Sequence, residues 1–244
     1  LAMKFADRLF KTKVPFINKE VISLAKVQDN YEITLKNNDV IIAKTVLVAT
    51  GTKEKKMGLE KEDKLLGKGI SYCAICDGHF FKQKDVAVIV NGDYAVKEAI
   101  YLSNLAKNLY VIHEKDSFKE NKNLIEKLLN KDNVKAFTSY IPLEILGDEK
   151  VTGLKIKNIA TNEENTLELQ GIFPFIGEIP NTDFIKIEGV KNEEGLVPTN
   201  REFETSSKGL FAGGDILPRN VRQIYLAEHD GKVAAKSMIK YLRG

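Results

Sequence analysis

The period of hydrophobic positions changes several times along the chain, and each change predicts an element. Residues 1 to about 10 read as the end of an amphipathic helix. Apolar and polar positions then make three β-type stretches, at 20–27, 31–35 and 40–49. Asp29-Asn30 and Asn37-Asn38-Asp39 separate them, as hairpin connections do. From Thr45 to Ala49 the run is continuously apolar and enters Thr50-Gly51, the pattern of a buried strand stopping at a glycine turn. Residues 53–56 are charged and turn-rich, like a linker.

From Val86 the pattern is different. Residues 86–90 predict a buried strand, Asn91-Gly92-Asp93 a turn, and the stretch to about 104 a helix. A second strand at 110–113 and a second helix at 118–130 follow, then strands at 134–137, 151–159 and 166–169. Strand, glycine turn, helix and strand make a βαβ unit, which implies a parallel sheet. Gly171 to Gly177 repeats the motif of an apolar run into glycine, Leu210 to Asp215 is another strand into a turn, and 222–242 read as a closing helix. The predicted organisation is α/β: a βαβ domain at 55–170 inserted between two pieces of another domain, 1–54 and 171–244. No solenoid-length repeat is present.

Composition narrows the function classes. The 244 residues are 43% hydrophobic, enough for a core, and no apolar run approaches the ~18 residues of a membrane helix. Thirty-seven Lys and Arg against 34 Asp and Glu leave +3, an interspersed surface that does not imply nucleic acid. The opening residues carry no secretory pattern, so a cytoplasmic protein is expected. The two cysteines are three residues apart and cannot staple a fold of this size. They mark a site.

That site is Cys73-Ala-Ile-Cys76-Asp77. A Cys-x-x-Cys loop closes a disulfide with little backbone change and can lower one thiol's pKa. The competing reading is half a zinc site, with only His79, His113 and His229 to complete it. Asp77 is a candidate proton donor, or simply a capping residue. Val90-Asn91-Gly92-Asp93-Tyr94-Ala95 stands where a Gly-x-Gly-x-x-Gly/Ala dinucleotide turn belongs. Gly92 and Ala95 suit the second and third positions, whereas Val90 at the first is expected to crowd the turn. Glu114, at the end of the next strand, is placed to bond an adenine ribose, or is a surface acid of an ordinary βαβ unit. Ala212-Gly213-Gly214-Asp215, with Arg222-Gln223 further on, could hold a ribityl chain and a phosphate.

In this order, these segments resemble the low-molecular-weight thioredoxin reductases, a family of flavin disulfide reductases. The resemblance rests on Ala49-Thr50-Gly51, on Gly69-Ile-Ser-Tyr-Cys73-Ala-Ile-Cys76-Asp77-Gly78, on Ala95 to Asn104, on Gly177-Glu-Ile-Pro-Asn-Thr182, on Ala212 to Asp215 and on Arg222-Gln223. It implies a two-domain fold in which a Rossmann-like nucleotide domain carrying the redox pair is inserted into an FAD domain, and a homodimer. It implies electron flow from NADPH to FAD, to the disulfide and on to thioredoxin. Cys76 would be the flavin-side thiol, Cys73 the thiol that attacks thioredoxin and Asp77 the acid. Thr50, Gly51, Gly214, Asp215, Arg222 and Gln223 would hold FAD. Related enzymes with the same dithiol reduce other disulfide or peroxidase proteins, and a non-catalytic relative serving as a binding protein is a further alternative.

Two departures from the family pattern carry expectations of their own. A strand and the flavin's glycine-rich turn are expected ahead of Leu1, in roughly 60 residues, because a nucleotide pyrophosphate is seated at such a turn. The 244 residues alone are expected to hold FAD weakly. In place of an Arg-rich run for the 2′-phosphate of NADPH, the chain has His113-Glu114-Lys115 and Lys119. A carboxylate there favours NADH, and the lysines supply only point charges. Reduction by a ferredoxin or a flavodoxin is the other route.

Overall fold

The computed structural model describes residues 7, 9–12, 14–219 and 221–244. The expected opening helix lies largely outside them; residues 7 and 9–11 are helical. The chain makes two units, one from residues up to 52 together with 180–244, the other from 53–179.

The first unit begins with an antiparallel three-stranded sheet, β1 (Val21–Val27), β2 (Asn30–Leu35) and β3 (Val40–Ala43). Asn38 at φ 67° closes the β2–β3 turn, a conformation that Asn tolerates through its short polar side chain. The 40–49 stretch is two strands rather than one. After β3 the chain leaves the antiparallel sheet, and β4 (Val46–Val48) joins a different one. Val48 is buried, while Val46 and Leu47 are half-buried.

The chain passes between the units within β5 (Thr52–Glu54) and later returns. The second unit starts with a short helix α1 (Ala74–Asp77), then β6 (Asp85–Val90), α2 (Asp93–Ser103), β7 (Asn108–His113), α3 (Lys122–Leu129) and β8 (Val134–Thr138). Three antiparallel strands follow, β9 (Tyr140–Leu146), β10 (Gly153–Asn158) and β11 (Glu164–Glu168), then β12 (Gly171–Phe175). The parallel sheet has the order β12-β6-β7-β8, and the meander β11-β10-β9. Val86 and Val88 pack with Ala95, Val96, Ala99 and Leu102 of α2. Ala87 and Ile89, which alternate with them, pack with Ile145, Leu154 and Ile156 of the meander. A strand covered on both faces needs apolar residues at every position, which is why 86–90 read as a continuous run. Each such Val or Ile contributes about 1.5–3 kcal/mol of burial.

Two elements depart from the sequence reading. β9 was not expected, because Pro142 and Glu144 interrupt its apolar pattern. It survives as an edge strand, with Pro142 opposite Ile156 where the register shifts, so the missing N–H costs no regular ladder bond. β12, expected in the flanking domain, pairs in parallel with β6 from Gly171↔Val86 to Phe175↔Val90. Pro174 is accommodated because β12 is an edge strand. The inserted unit therefore runs to 179 rather than 170.

The chain re-enters the first unit through β13 (Glu178–Pro180). β14 (Leu210–Ala212) pairs in parallel with β4, and α4 (Ile224–Arg243) closes the chain. Leu24, Tyr31, Val48, Ile185, Val197, Leu210 and Ile216 form this unit's core.

Candidate active site

Cys73 and Cys76 are joined as a disulfide, with Cα atoms 5.3 Å apart. Cys73 is the N-cap of α1, and the Cys76 N–H donates to Cys73 Sγ at 3.1 Å. Cys76 is exposed and Cys73 half-buried. Asp77 ends α1, and its Oδ2 accepts from the buried Ser71 hydroxyl at 2.6 Å. Ser71 Oγ also accepts from the Cys73 N–H at 3.1 Å. One hydroxyl thus fixes both the acid and the first cysteine. Gly78 seats the loop against α2: a Cβ there would lie 3.2 Å from Tyr101, Leu102 and Leu105.

Beneath this loop lies Glu98, a buried carboxyl on α2. Burial pushes its pKa up; hydrogen bonds from the Ala74 N–H and the Tyr94 side chain oppose the shift without cancelling it. Ala74 stands between the two cysteines in the chain, so the helix under the redox loop grips that loop by its backbone. Sequence reasoning passed over Ser71 and Glu98. Ser71 lay inside the recognised motif, but its bond to Asp77 is made only when the loop folds back.

The glycine turn of the βαβ unit holds a surprise at its first position. Val90 fills that position without a positive φ. It is the last residue of β6 and is buried in the core. Gly92, at φ 89°, makes the turn instead and caps α2, with the buried Ala95 packing that helix on the sheet. A cavity of 340 Å³ opens beside the turn, lined among others by Asn91, His113, Glu114, Lys115 and Tyr140. Glu114 and Lys115 are exposed in it, whereas His113 is buried. The His113 ring reaches the carbonyls of Val90 at 3.1 Å and Ser117 at 3.2 Å and stacks on Phe118. Both ring nitrogens are thus engaged with the protein's own backbone. Lys119 does not line this cavity. Of the four residues read as a 2′-phosphate platform, Glu114 and Lys115 are exposed on the cavity wall, His113 lines it while engaged with backbone carbonyls, and Lys119 lies outside it.

In the first unit, Gly213-Gly214-Asp215 follows β14. Gly214 has φ 78°, where a side chain would be strained. Its N–H donates to Asp230 Oδ2 at 2.9 Å, its carbonyl accepts from Arg219 Nη2 at 3.0 Å, and Arg219 pairs with Asp230. Asp230 is buried on α4. Arg222 Nε donates to the Asp215 carbonyl at 3.1 Å. Asp215 Oδ1 is buried without a hydrogen-bond partner, an acceptor still lacking its donor. Across the same unit, Thr50 Oγ1 donates to the Asn181 carbonyl at 2.6 Å, and Gly51 turns at φ 63°.

Comparison with known proteins decides what these turns belong to. The profile of the pyridine nucleotide-disulphide oxidoreductase family matches residues 6–231. The thioredoxin reductase of Mycoplasma pneumoniae is 37% identical over 96% of this chain and 75% of its own length. That of Helicobacter pylori is 39% identical over 90% of this chain and 72% of its own. The chain belongs to the low-molecular-weight thioredoxin reductase family. The thioredoxin reductase structure from Streptococcus pyogenes superposes with a TM-score of 0.85 at 34% identity, covering 99% of this chain and 79% of that one.

As a member of the thioredoxin reductase family, the protein has the two-domain fold of the flavin disulfide reductases and is an oxidoreductase acting on a sulfur group. The zinc reading of Cys73 and Cys76 loses its ligands to the disulfide. Among the described residues, no three His, Cys, Asp or Glu side chains group as metal ligands. Also among the described residues, no helix is long and apolar enough to cross a membrane. Arg219 and Asp230, which bond Gly214 and each other beside the Gly213-Gly214-Asp215 turn, were passed over by sequence reasoning. Arg219 lies between the Asp215 and Arg222 motifs, but Asp230 stands 11 residues further along on α4, so only the fold shows their pairing.

Proposed function

We propose that this protein is a thioredoxin-disulfide reductase that moves electrons through the Cys73–Cys76 pair to thioredoxin, as a cytoplasmic homodimer. The observation that carries this reading is the disulfide itself, in an accessible loop whose neighbouring acid, Asp77, is held by Ser71. Two electrons open the disulfide, arriving at Cys76. The Cys73 thiolate attacks one sulfur of the thioredoxin disulfide, and Cys76 then displaces reduced thioredoxin from the mixed disulfide, so the internal disulfide re-forms. Asp77 delivers and recovers the protons that accompany the thiols. Ser71 holds the Asp77 carboxylate through the same hydroxyl that accepts from the Cys73 N–H.

Thr50, Gly51, Gly214, Asp215, Arg222 and Gln223 are the residues that would hold FAD. The partnerless Asp215 Oδ1 supports the fit, since a ribityl hydroxyl is the donor it lacks. Flavin held there, once reduced by the external donor, would supply the electron pair that opens the disulfide.

For the pyridine nucleotide, NADH fits the cavity better than NADPH. The cavity wall bears Glu114 and contains no Arg; Lys55 and Lys115 are its cations. A carboxylate accepts from a free 2′-hydroxyl and repels a 2′-phosphate. A small carrier protein such as a ferredoxin or a flavodoxin is the second reading, favoured by a carboxylate, Glu120, bonded to the Gly92 turn. Thioredoxin reduction by the flavin-loaded protein, driven in turn by NADH, NADPH and a reduced carrier, tests all of this. Turnover with NADH above NADPH is expected. Failure to reduce thioredoxin with any donor, including chemically reduced enzyme, would overturn the function.

A further inference from the structure

The N–H groups at the start of α2 are the natural seat for an anion, because a helix N-terminus concentrates unpaired donors and positive dipole. That seat is taken. Glu120, on the loop between β7 and α3, reaches back so that its Oε1 accepts from the Gly92 N–H at 2.9 Å. Its Oε2 is buried without a partner. The same loop is fastened at two further points. Asp93 Oδ1, in the first turn of α2, accepts from the Asn121 N–H at 2.8 Å, and Phe118 stacks on His113 with ring centres 4.5 Å apart.

Three features agree. Burial works to raise the Glu120 pKa, but the Gly92 N–H, with the adjacent backbone and the neighbouring His113, outweighs it and holds the carboxyl below its ordinary value. The group is therefore an anion at neutral pH. It stands on the peptide nitrogen that a dinucleotide pyrophosphate needs to approach. Asp93 and Glu114 add negative charge at the same end of the sheet, with Lys55 and Lys115 as the cations of the cavity.

We propose that Glu120 is the residue that sets nucleotide affinity: its carboxylate occupies the pyrophosphate seat of the Gly92 turn, so a dinucleotide binds only by displacing it. This rests on the reading of that turn as the nicotinamide-dinucleotide site. It places discrimination between donors in two positions. Glu120 weighs against every dinucleotide alike, because all share the pyrophosphate, while Glu114 separates NADH from NADPH. A carrier protein needs no such seat, and Glu120 leaves that route untouched.

The test is calorimetric titration of the full, flavin-loaded chain with NAD+, NADP+ and ADP-ribose, none of which reduces the flavin. Glu120→Ala should tighten all three at least tenfold over wild type, and Glu120→Gln, which keeps the shape but not the charge, several-fold. Glu149→Gln, an exposed acid outside the site, should change nothing. If Glu120→Ala fails to fold, Glu120→Gln decides. Wild type that binds as tightly as both variants would overturn the proposal, and so would variants that bind no better than a non-binding wild type. Thioredoxin reduction by chemically reduced wild type is measured alongside. Its loss would strike the reductase reading itself, independently of the titrations.

Discussion

The Ser71 hydroxyl lies 2.6 Å from Asp77 Oδ2 and, through the same oxygen, 3.1 Å from the Cys73 peptide nitrogen. Because the hydroxyl both donates and accepts, it passes the position of the acid directly to the cysteine. Ser71→Ala should cost about 1.5–3 kcal/mol, the worth of a hydrogen bond to a charged group, read by urea unfolding. Asp77→Asn keeps the shape but not the titrating proton, and should lose a general acid's share of ~10²–10⁴ in the rate of dithiol reoxidation. Unchanged reoxidation would make Asp77 a capping residue only.

The roles of the two sulfurs are separable by trapping. With Cys76→Ser, the remaining Cys73 should form a stable mixed disulfide with a thioredoxin that keeps a single cysteine, activated by a small thiol that leaves on attack, visible as a heavier band on a non-reducing gel. Cys73→Ser should not. Exposure argues the other way, since Cys76 is the exposed partner. A trapped complex through Cys76 alone would reverse the assignment.

Asp230 joins α4 to the Gly213-Gly214 turn. Asp230→Ala takes away the buried acceptor of the Gly214 N–H and the partner of the half-buried Arg219, so it should destabilise the first unit by about 1–3 kcal/mol. It should also loosen the turn that carries Asp215. Thermal unfolding measures the first effect, and flavin retained on gel filtration the second. Full retention with a lowered midpoint would confine Asp230 to stability.

Glu98 makes stability depend on pH. Its folded pKa is raised above the unfolded value of ~4.3, so folding takes up a proton between the two. The stabilisation is complete below the unfolded value and is lost as pH rises through the folded one. Glu98→Gln should therefore gain stability relative to wild type as pH increases from 4 towards 8, in denaturant titrations at each pH. A difference that stays level across that range would mean that Glu98 ionises normally.

Residue order alone determined much of this protein. The βαβ unit was legible because strands buried on both faces are apolar throughout and their turns carry glycine, as in 86–92. The redox pair was legible because two cysteines three apart have a chemistry of their own. The family was legible because Cys73 to Gly78, Ala95 to Asn104 and Ala212 to Asp215 stand in one order along nearly the whole chain.

Only the tertiary structure decided the rest. Pro142 hides β9 from any propensity argument, and it is tolerated because the strand is an edge. Val90 looked like an obstruction by type, yet it sits in the core one residue before the turn. Ser71 with Asp77, Arg219 with Asp230 and Glu120 with Gly92 are pairings of polar side chains whose partners are chosen by how the loops fold back. Hydrophobic burial follows from local pattern, since water sorts each residue by its own surface. A buried hydrogen bond depends on two groups meeting within about 3 Å, and that meeting is a property of the packed fold.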